Sequence, residues 1–455
     1  MSVRVLRRSQ WLPRPRAEVF AFFQTPENLA RLTPPWLGFE VLTPGPLELR
    51  AGARFEYRVR PLGFPQRWTT LIESCDAPHG FVDTQIKGPY KSWRHEHRFE
   101  DENGGTRVID EVRYELPFAP FGELAARDVS RRLDAIFAYR EDAAAALFKP
   151  QGSLKIVIAG GTGWIGRDLS RVLVRAGHSV VLLTRAGLPS RIPGVETRCW
   201  LAPESSGWHG ELEGADAVVN LCGEGVADGL WTAARRRTLV ESRLNPTRAL
   251  VDAIGRATVK PRVLINASAV GYYGHGDALQ DEASGPGAGY LADLCARWES
   301  EASVAQKQGL RVVRLRIGVV LGRDGGALAR MLPPFKLAAG GRLGDGRQYF
   351  PWVHLDDVTG LIVAALTNER LSGAVNAVAP GTATNAEFTA ALGRALRRPT
   401  PFPVPAGALR LLLGDMASLL LGSHKIAPAA ALAAGYRFKH PRLEEALAAV
   451  VRRPA

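Results

Sequence analysis

The most specific chemistry in this chain is carried by Ala159-Gly160-Gly161-Thr162-Gly163-Trp164-Ile165-Gly166. The string follows an apolar strand, Leu154 to Ala159, and opens an amphipathic helix that carries Leu169, Val172 and Leu173 and is closed by Gly177. In that setting the glycines let backbone amides reach a pyrophosphate at the positive end of a helix, the signature of dinucleotide binding. The end of the next strand selects the dinucleotide, because an acidic residue there accepts the ribose hydroxyls of NAD and repels a 2′-phosphate. Here Leu183 is followed by Thr184 and Arg185. A guanidinium where the carboxylate would stand selects NADP.

Around this loop the chain alternates strand and helix. Strands are expected at 154–159, 178–184, 216–221, 262–268 and 311–317, and helices at 164–176, 232–255 with an interruption at Pro246, and 287–308. Alternation with crossovers of this length implies an α/β domain built on a doubly wound parallel sheet. Short strands and helices after Gly318 are expected to form a smaller lobe, about 318–455.

Residues 1–149 read differently. A short helix, Arg16 to Gln24, precedes runs of period-two alternation at Arg54–Val59, Trp68–Glu73, Trp93–Phe99 and Thr106–Val112. Such runs make an antiparallel sheet with one buried face, and the Ala-rich helix ending near Phe148 would cover its concave side. Pro150-Gln151-Gly152-Ser153 then separates the two domains, 1–149 and 154–455. Trp68, Trp93, Phe99, Tyr114 and Phe137 are candidates to line an apolar cavity or to fill an ordinary core. His95 and His97 share one strand face, but the sequence shows no third ligand beside them, so no metal is expected.

Composition bounds the alternatives. At 455 residues and 46% hydrophobic content the chain can build more than one core. Cys75, Cys199, Cys222 and Cys295 lie far apart without metal-ligand spacing, as reduced thiols do in a cytoplasmic protein. The first residues are basic but lack the apolar segment of a secretory signal. The best apolar run, Leu409 to Leu421, is broken by Gly414 and Asp415, so no membrane span is expected. The net charge of +13 lies mainly in residues 151–455, which hold 36 Lys+Arg against 25 Asp+Glu. Apart from Arg235–Arg237 it is scattered and free of interleaved aromatics, which reads as solvated helix surface rather than a nucleic-acid patch.

Several motifs in order carry a family resemblance: Gly160–Gly166, Val218–Trp231, Ala267–Gly274, Phe350–Asp357, and a C-terminal segment with Asn385–Phe388 and Pro403–Leu447. Together they resemble the atypical, epimerase-like branch of the extended short-chain dehydrogenases. The opening Ala17–Leu29, with the closing helix Leu124–Leu147, resembles the START-like, polyketide-cyclase helix-grip superfamily, whose members enclose an apolar cavity between helix and sheet. The first resemblance implies NADP contacts at Gly160, Gly161, Thr162, Gly163, Trp164, Ile165 and Gly166, at Thr184 and Arg185, at Leu221 and Cys222, at Arg243, and at Val320. It also implies a catalytic hydroxyl at Ser268 and a tyrosine at Tyr290. The family's lysine, four residues after the tyrosine, is replaced by Leu294. Without that cation a phenol stays near its usual pKa of about 10, so the standard catalytic set is incomplete. Two functions follow: an NADP(H)-dependent oxidoreductase or epimerase acting on a small substrate, or an NADP(H)-binding sensor without turnover. Substrate and oligomeric state are not encoded in these motifs.

Overall fold

The computed structural model describes residues 3–45, 47–60, 64–102, 104–117, 125–148, 152–200 and 207–451. Pro150 and Gln151 of the expected boundary, and Leu124 of the expected closing helix, lie outside the described residues. The residues group into two compact units. One is Met1–Ser153 with the short segments 173–179 and 190–195, and the other is the remainder.

The first unit is one antiparallel sheet of strands β1 (Arg4–Leu12), β2 (Glu40–Val41), β3 (Arg54–Val59), β4 (Gln66–Asp76), β5 (Gly80–Lys87), β6 (Ser92–Glu102) and β7 (Gly105–Glu115). Its order is β1-β7-β6-β5-β4-β3-β2, so the unit's first strand pairs with its last. Alternation sets the buried face: along β6, Trp93, His95, His97 and Phe99 are buried while their neighbours are more exposed. The helix Ala126–Leu147 packs Leu133 and Phe137 against Trp93, Val112 and Tyr114. A second cluster joins Phe20 of the helix Arg16–Phe23 to Phe81 and Phe99, edge to face.

The second unit is built on a parallel sheet of β8 (Lys155–Ala159), β9 (Ser179–Thr184), β10 (Val195–Cys199), β11 (Ala217–Asn220), β12 (Val263–Ala269), β14 (Arg311–Ile317) and β18 (Gly373–Ala377), in the order β10-β9-β8-β11-β12-β14-β18. The central strands are buried on both faces, as unbroken apolar runs such as Ile156-Val157-Ile158-Ala159 require. Paired outside this sheet are β13 (Gly276–Gln280) with β20 (His424–Ile426), β15 (Val319–Leu321) with β17 (Trp352–His354), and β16 (Tyr349–Phe350) with β19 (Ala383–Thr384).

Three expectations change. The helix Ala233–Arg256 runs through Pro246 without a break, because Leu239, Leu244, Leu250 and Ile254 bury its flanking turns and offset the one lost hydrogen bond. The helix expected over 287–308 is Tyr290–Ser303 followed by a tighter 3₁₀ turn to Gln308. The segment after Gly318 is not wholly a separate lobe, since β18 returns to the main sheet beside β14. No helix among the described residues is long and apolar enough to cross a membrane.

Candidate functional site

The glycine loop is shaped by contacts that exclude side chains. Gly160 has φ +75°, and a Cβ there would lie 2.7 Å from the Leu221 carbonyl carbon and 2.8 Å from the Cys222 nitrogen. A Cβ on Gly161 would meet the Leu182 side chain at 2.4 Å, and one on Gly166 would meet the Gly161 Cα at 2.5 Å, so helix Trp164–Arg175 starts tight against the loop. Thr162 and Gly163 at the turn are exposed, and Trp164 and Ile165 are half-buried. The Trp164 ring lies against Gly322, Gly325 and Gly326, each too close for a Cβ to fit. The segment carrying Val320 is thereby joined to the loop, with Val320 itself buried in β15.

The loop after β11 is fixed from below. Asn220, fully buried, donates to Asn266 Oδ1 at 2.7 Å and to Thr247 Oγ1 at 2.9 Å, while its own oxygen accepts from the Cys222 amide at 3.1 Å. Burial pushes the Cys222 thiol up to about 12, making it a packing group. Arg243, on helix Ala233–Arg256, is buried and donates to the carbonyls of Leu239 and Glu224, both at 2.9 Å. Its side chain lies against Gly223, and burial holds its pKa below the usual arginine range. At the end of β9, Thr184 is buried and accepts the Gly187 amide at 3.0 Å, while Arg185 is exposed. The structure therefore brings the glycine loop, Leu221, Cys222 and Arg243 into one chain of contacts, with Arg185 close enough for its charge to act on the Cys222 thiol.

Ser268 and Tyr290 are placed differently from each other. Ser268 is buried, and its hydroxyl donates to Glu299 Oε1 at 2.7 Å. Glu299 is gripped by Arg316 through Nε at 2.8 Å and Nη2 at 2.9 Å, with both side chains 3% exposed. Arg316 also donates to Tyr273 Oη at 2.8 Å, and Tyr273 donates to Asn376 Oδ1 at 2.8 Å. The Ser268 proton is thus committed inside a saturated network.

Tyr290 instead lines a cavity of about 870 Å³ together with Trp231, Arg236, His275, Asp415 and His424. It donates to the Arg236 carbonyl at 3.1 Å. Burial raises its pKa, outweighing the lowering by Arg243 and Arg236, and Leu294 is buried one turn further on. His275 Nδ1 and His424 Nε2 lie 3.2 Å apart, and burial depresses both, His424 to about 4. No spacing in the sequence announces this pair, because strand pairing of β13 with β20 makes it.

The first unit holds its own cavity, about 230 Å³, lined by Trp68, Trp93 and Phe137 among other apolar side chains. Of the five aromatic candidates, Phe99 and Tyr114 belong to the packed core instead. Polar groups enter the lining at Asp83, His95, His97 and Arg140. Asp83 is the third donor beside the two histidines that spacing along one strand could not reveal, since it sits opposite His95 on β5.

Comparison with known proteins gives three family matches: the NAD dependent epimerase/dehydratase family over residues 156–378, a domain of unknown function over 404–450, and the polyketide cyclase / dehydrase and lipid transport family over 12–137. An epimerase family protein of Mycobacterium bovis is 43% identical over 303 residues, 66% of this chain and 98% of its own length. The crystal structure of the human epimerase family protein SDR39U1 with NADPH is similar at 36% identity and a TM-score of 0.59, covering 65% of this chain and 98% of that one. A nucleoside-diphosphate sugar epimerase from Corynebacterium glutamicum is similar over 98% of this chain and 90% of its own, at 30% identity and a TM-score of 0.62.

The buried network predicts a stability effect. Glu299→Gln leaves Arg316 buried without its counter-charge, and breaking such a pair destabilises by about 3–5 kcal/mol. The expected result is a lower denaturation midpoint with native secondary structure retained, measured by circular dichroism in urea. A change within about 0.5 kcal/mol would show that the pair is not holding this region.

Proposed function

The chain belongs to the epimerase family of NAD dependent epimerase/dehydratase proteins, and from that premise we propose that its second unit binds NADP(H) and acts as an oxidoreductase or epimerase on a small molecule. The observation carrying the choice of cofactor is Arg185, an exposed guanidinium at the end of β9 that has no ion-pair partner among the described residues. A 2′-phosphate would give it one, with two or more charge-assisted hydrogen bonds. The glycine loop would receive the pyrophosphate, and Arg243, buried and donating to two backbone carbonyls and the Ser242 hydroxyl but to no carboxylate, has charge left for a phosphate.

When bound, the cofactor supplies hydride exchange at the nicotinamide. The residues of this chain would orient a substrate in the cleft of Trp231, Arg236 and Tyr290. Arg236 in the cleft and Arg243 beside the loop after β11 are two turns apart on one helix, about 10 Å. Tyr290 stays protonated at neutral pH and can donate a hydrogen bond, but it is a poor base. Ser268 is buried with its hydroxyl on Glu299, and neither lines the cleft. The neutral His275–His424 pair is the group in the cleft wall able to pass a proton. For the first unit, the apolar lining of its cavity supports a ligand-holding role for a largely apolar molecule.

A second reading, an NADP(H)-binding protein without turnover, is favoured by Leu294 in place of the family's lysine. Turnover with a natural ligand separates the two.

The cofactor assignment predicts at least a tenfold preference for NADPH over NADH by titration calorimetry, lost in Arg185→Ala. Equal affinities in the wild type would overturn it. Organic extracts of the purified chain are expected to contain an apolar molecule in near-stoichiometric amount. An empty extract, with no binding of a lipid-like fluorescent probe, would make the first cavity ordinary core. With a substrate found among such molecules, Tyr290→Phe should slow single-turnover oxidation of bound NADPH by less than tenfold, under about 1.4 kcal/mol. A thousandfold loss would mean that the site activates this tyrosine by other means.

A further inference from the structure

The polar end of the first unit's cavity is built from three neighbouring strands. Asp83 on β5 lies opposite His95 on β6, and His97 lies opposite Asp110 on β7. All four side chains therefore share the buried face of the sheet, and all four are 4–15% exposed. Asp83 Oδ2 is 3.1 Å from His97 Nε2 and 3.7 Å from His95 Nδ1, and the three donor atoms lie within 4.8 Å of one another. Ligands of a tetrahedral zinc stand about 3.3 Å apart, given metal bonds near 2.0–2.1 Å.

The opposite edges of both rings converge on one carboxylate. His95 Nε2 is 2.8 Å from Asp110 Oδ1, and His97 Nδ1 is 2.9 Å from the same oxygen, although off the direction of a hydrogen bond, which leaves it without a hydrogen-bond partner. A carboxylate behind a histidine is what fixes the ring and raises its basicity in metal sites. The rings are further held by Phe81, stacked on His97 at 4.1 Å, and by Phe137, edge-on to His95 at 5.5 Å. Arg140, 3.9 Å from Asp110, supplies one positive charge against the two buried carboxylates, leaving a second to come from a proton on the histidines or from a metal ion.

We propose that Asp83, His95 and His97 form a site for a divalent transition-metal ion of the zinc or iron(II) kind, with Asp110 positioning both histidines and the open coordination position facing the apolar cavity. Two imidazoles and one carboxylate suit such ions, and three protein ligands leave room for water or for a ligand oxygen. The second group of three donor side chains, His354, Asp356 and His440, is not comparable. There His354 Nδ1 accepts the Asp356 amide at 3.1 Å, and Asp356 is held by Lys439.

The test uses the full chain without a histidine tag, stripped with chelator, incubated with zinc and dialysed against metal-free buffer. Mass spectrometry of the metal is expected to give one zinc per chain, and cobalt substitution to give the absorption bands of a low-symmetry four-coordinate site. Asp83→Asn and His97→Ala should lose the equivalent, and Asp110→Asn should weaken binding 10–100-fold with the fold intact by circular dichroism. His440→Ala should retain it. Less than a tenth of an equivalent in the wild type would overturn the site in favour of a shared proton. So would retention in Asp83→Asn and His97→Ala, or loss in His440→Ala.

Discussion

The carboxyl ends of the parallel strands in the second unit depend on one buried ion pair. Arg316 on β14 and Glu299 on helix Tyr290–Ser303 are each 3% exposed, and each would be severely destabilising alone. They are tolerable only because their remaining polar positions are filled: Glu299 by Ser268 from β12, and Arg316 by Tyr273, which passes the bond on to Asn376 on β18. Arg316 also lies 3.5 Å above the Tyr272 ring. One charge pair thus ties three strands, a helix and the segment that leads to His275. Tyr290 stands at the start of that same helix, so the network anchors the element that carries it.

A second constraint acts at the glycine loop and is steric. Gly160 touches the backbone of Leu221 and Cys222, and Asn220 holds that backbone through the Cys222 amide. Asn220 is held in turn by Asn266 and Thr247. Polar side chains buried at the ends of adjacent strands therefore set how closely two loops approach. Arg243 enters the same arrangement by packing on Gly223, which makes its burial a consequence of the loop spacing as well as of its helix.

Much of this was legible in the sequence, for physical reasons that also mark where legibility ends. Strands β8, β11 and the start of β12 are apolar runs rich in Val, Ile and Leu and buried on both faces, β14 keeps Val312, Val313 and Leu315 buried between its arginines, and the glycine string has few structural uses other than the turn it makes. β1 was not legible because Arg4-Val5-Leu6-Arg7-Arg8 buries few of its side chains, and β10 because none of its five residues is fully buried. β18, Gly-Ala-Val-Asn-Ala, reads as a strand only beside β14. Ser268 was identified by its place in a motif, but a motif does not say which way a side chain faces, and Glu299 takes it inward. Asp83 beside His95, and His275 beside His424, are products of strand pairing between distant segments, to which local periodicity is blind.

The missing lysine is best understood through what burial does to the remaining tyrosine. Arg243 and Arg236 both lower the Tyr290 pKa, and Arg236 stacks 4.9 Å from its ring, yet the phenol is raised overall. A cation lowers a neighbour's pKa only as far as its field exceeds the loss of hydration. Here Arg243 is turned to the carbonyls of Leu239 and Glu224, and position 294 contributes a buried aliphatic group where a lysine would bring a charge. Lysine at 294 would itself have to shed water at a position where Leu294 is buried beside buried Cys295, so this position packs the helix rather than making the phenol acidic. The same loss of water acts on the imidazoles of His275 and His424 in the cleft wall, pushing each below its usual value and leaving both neutral near pH 7.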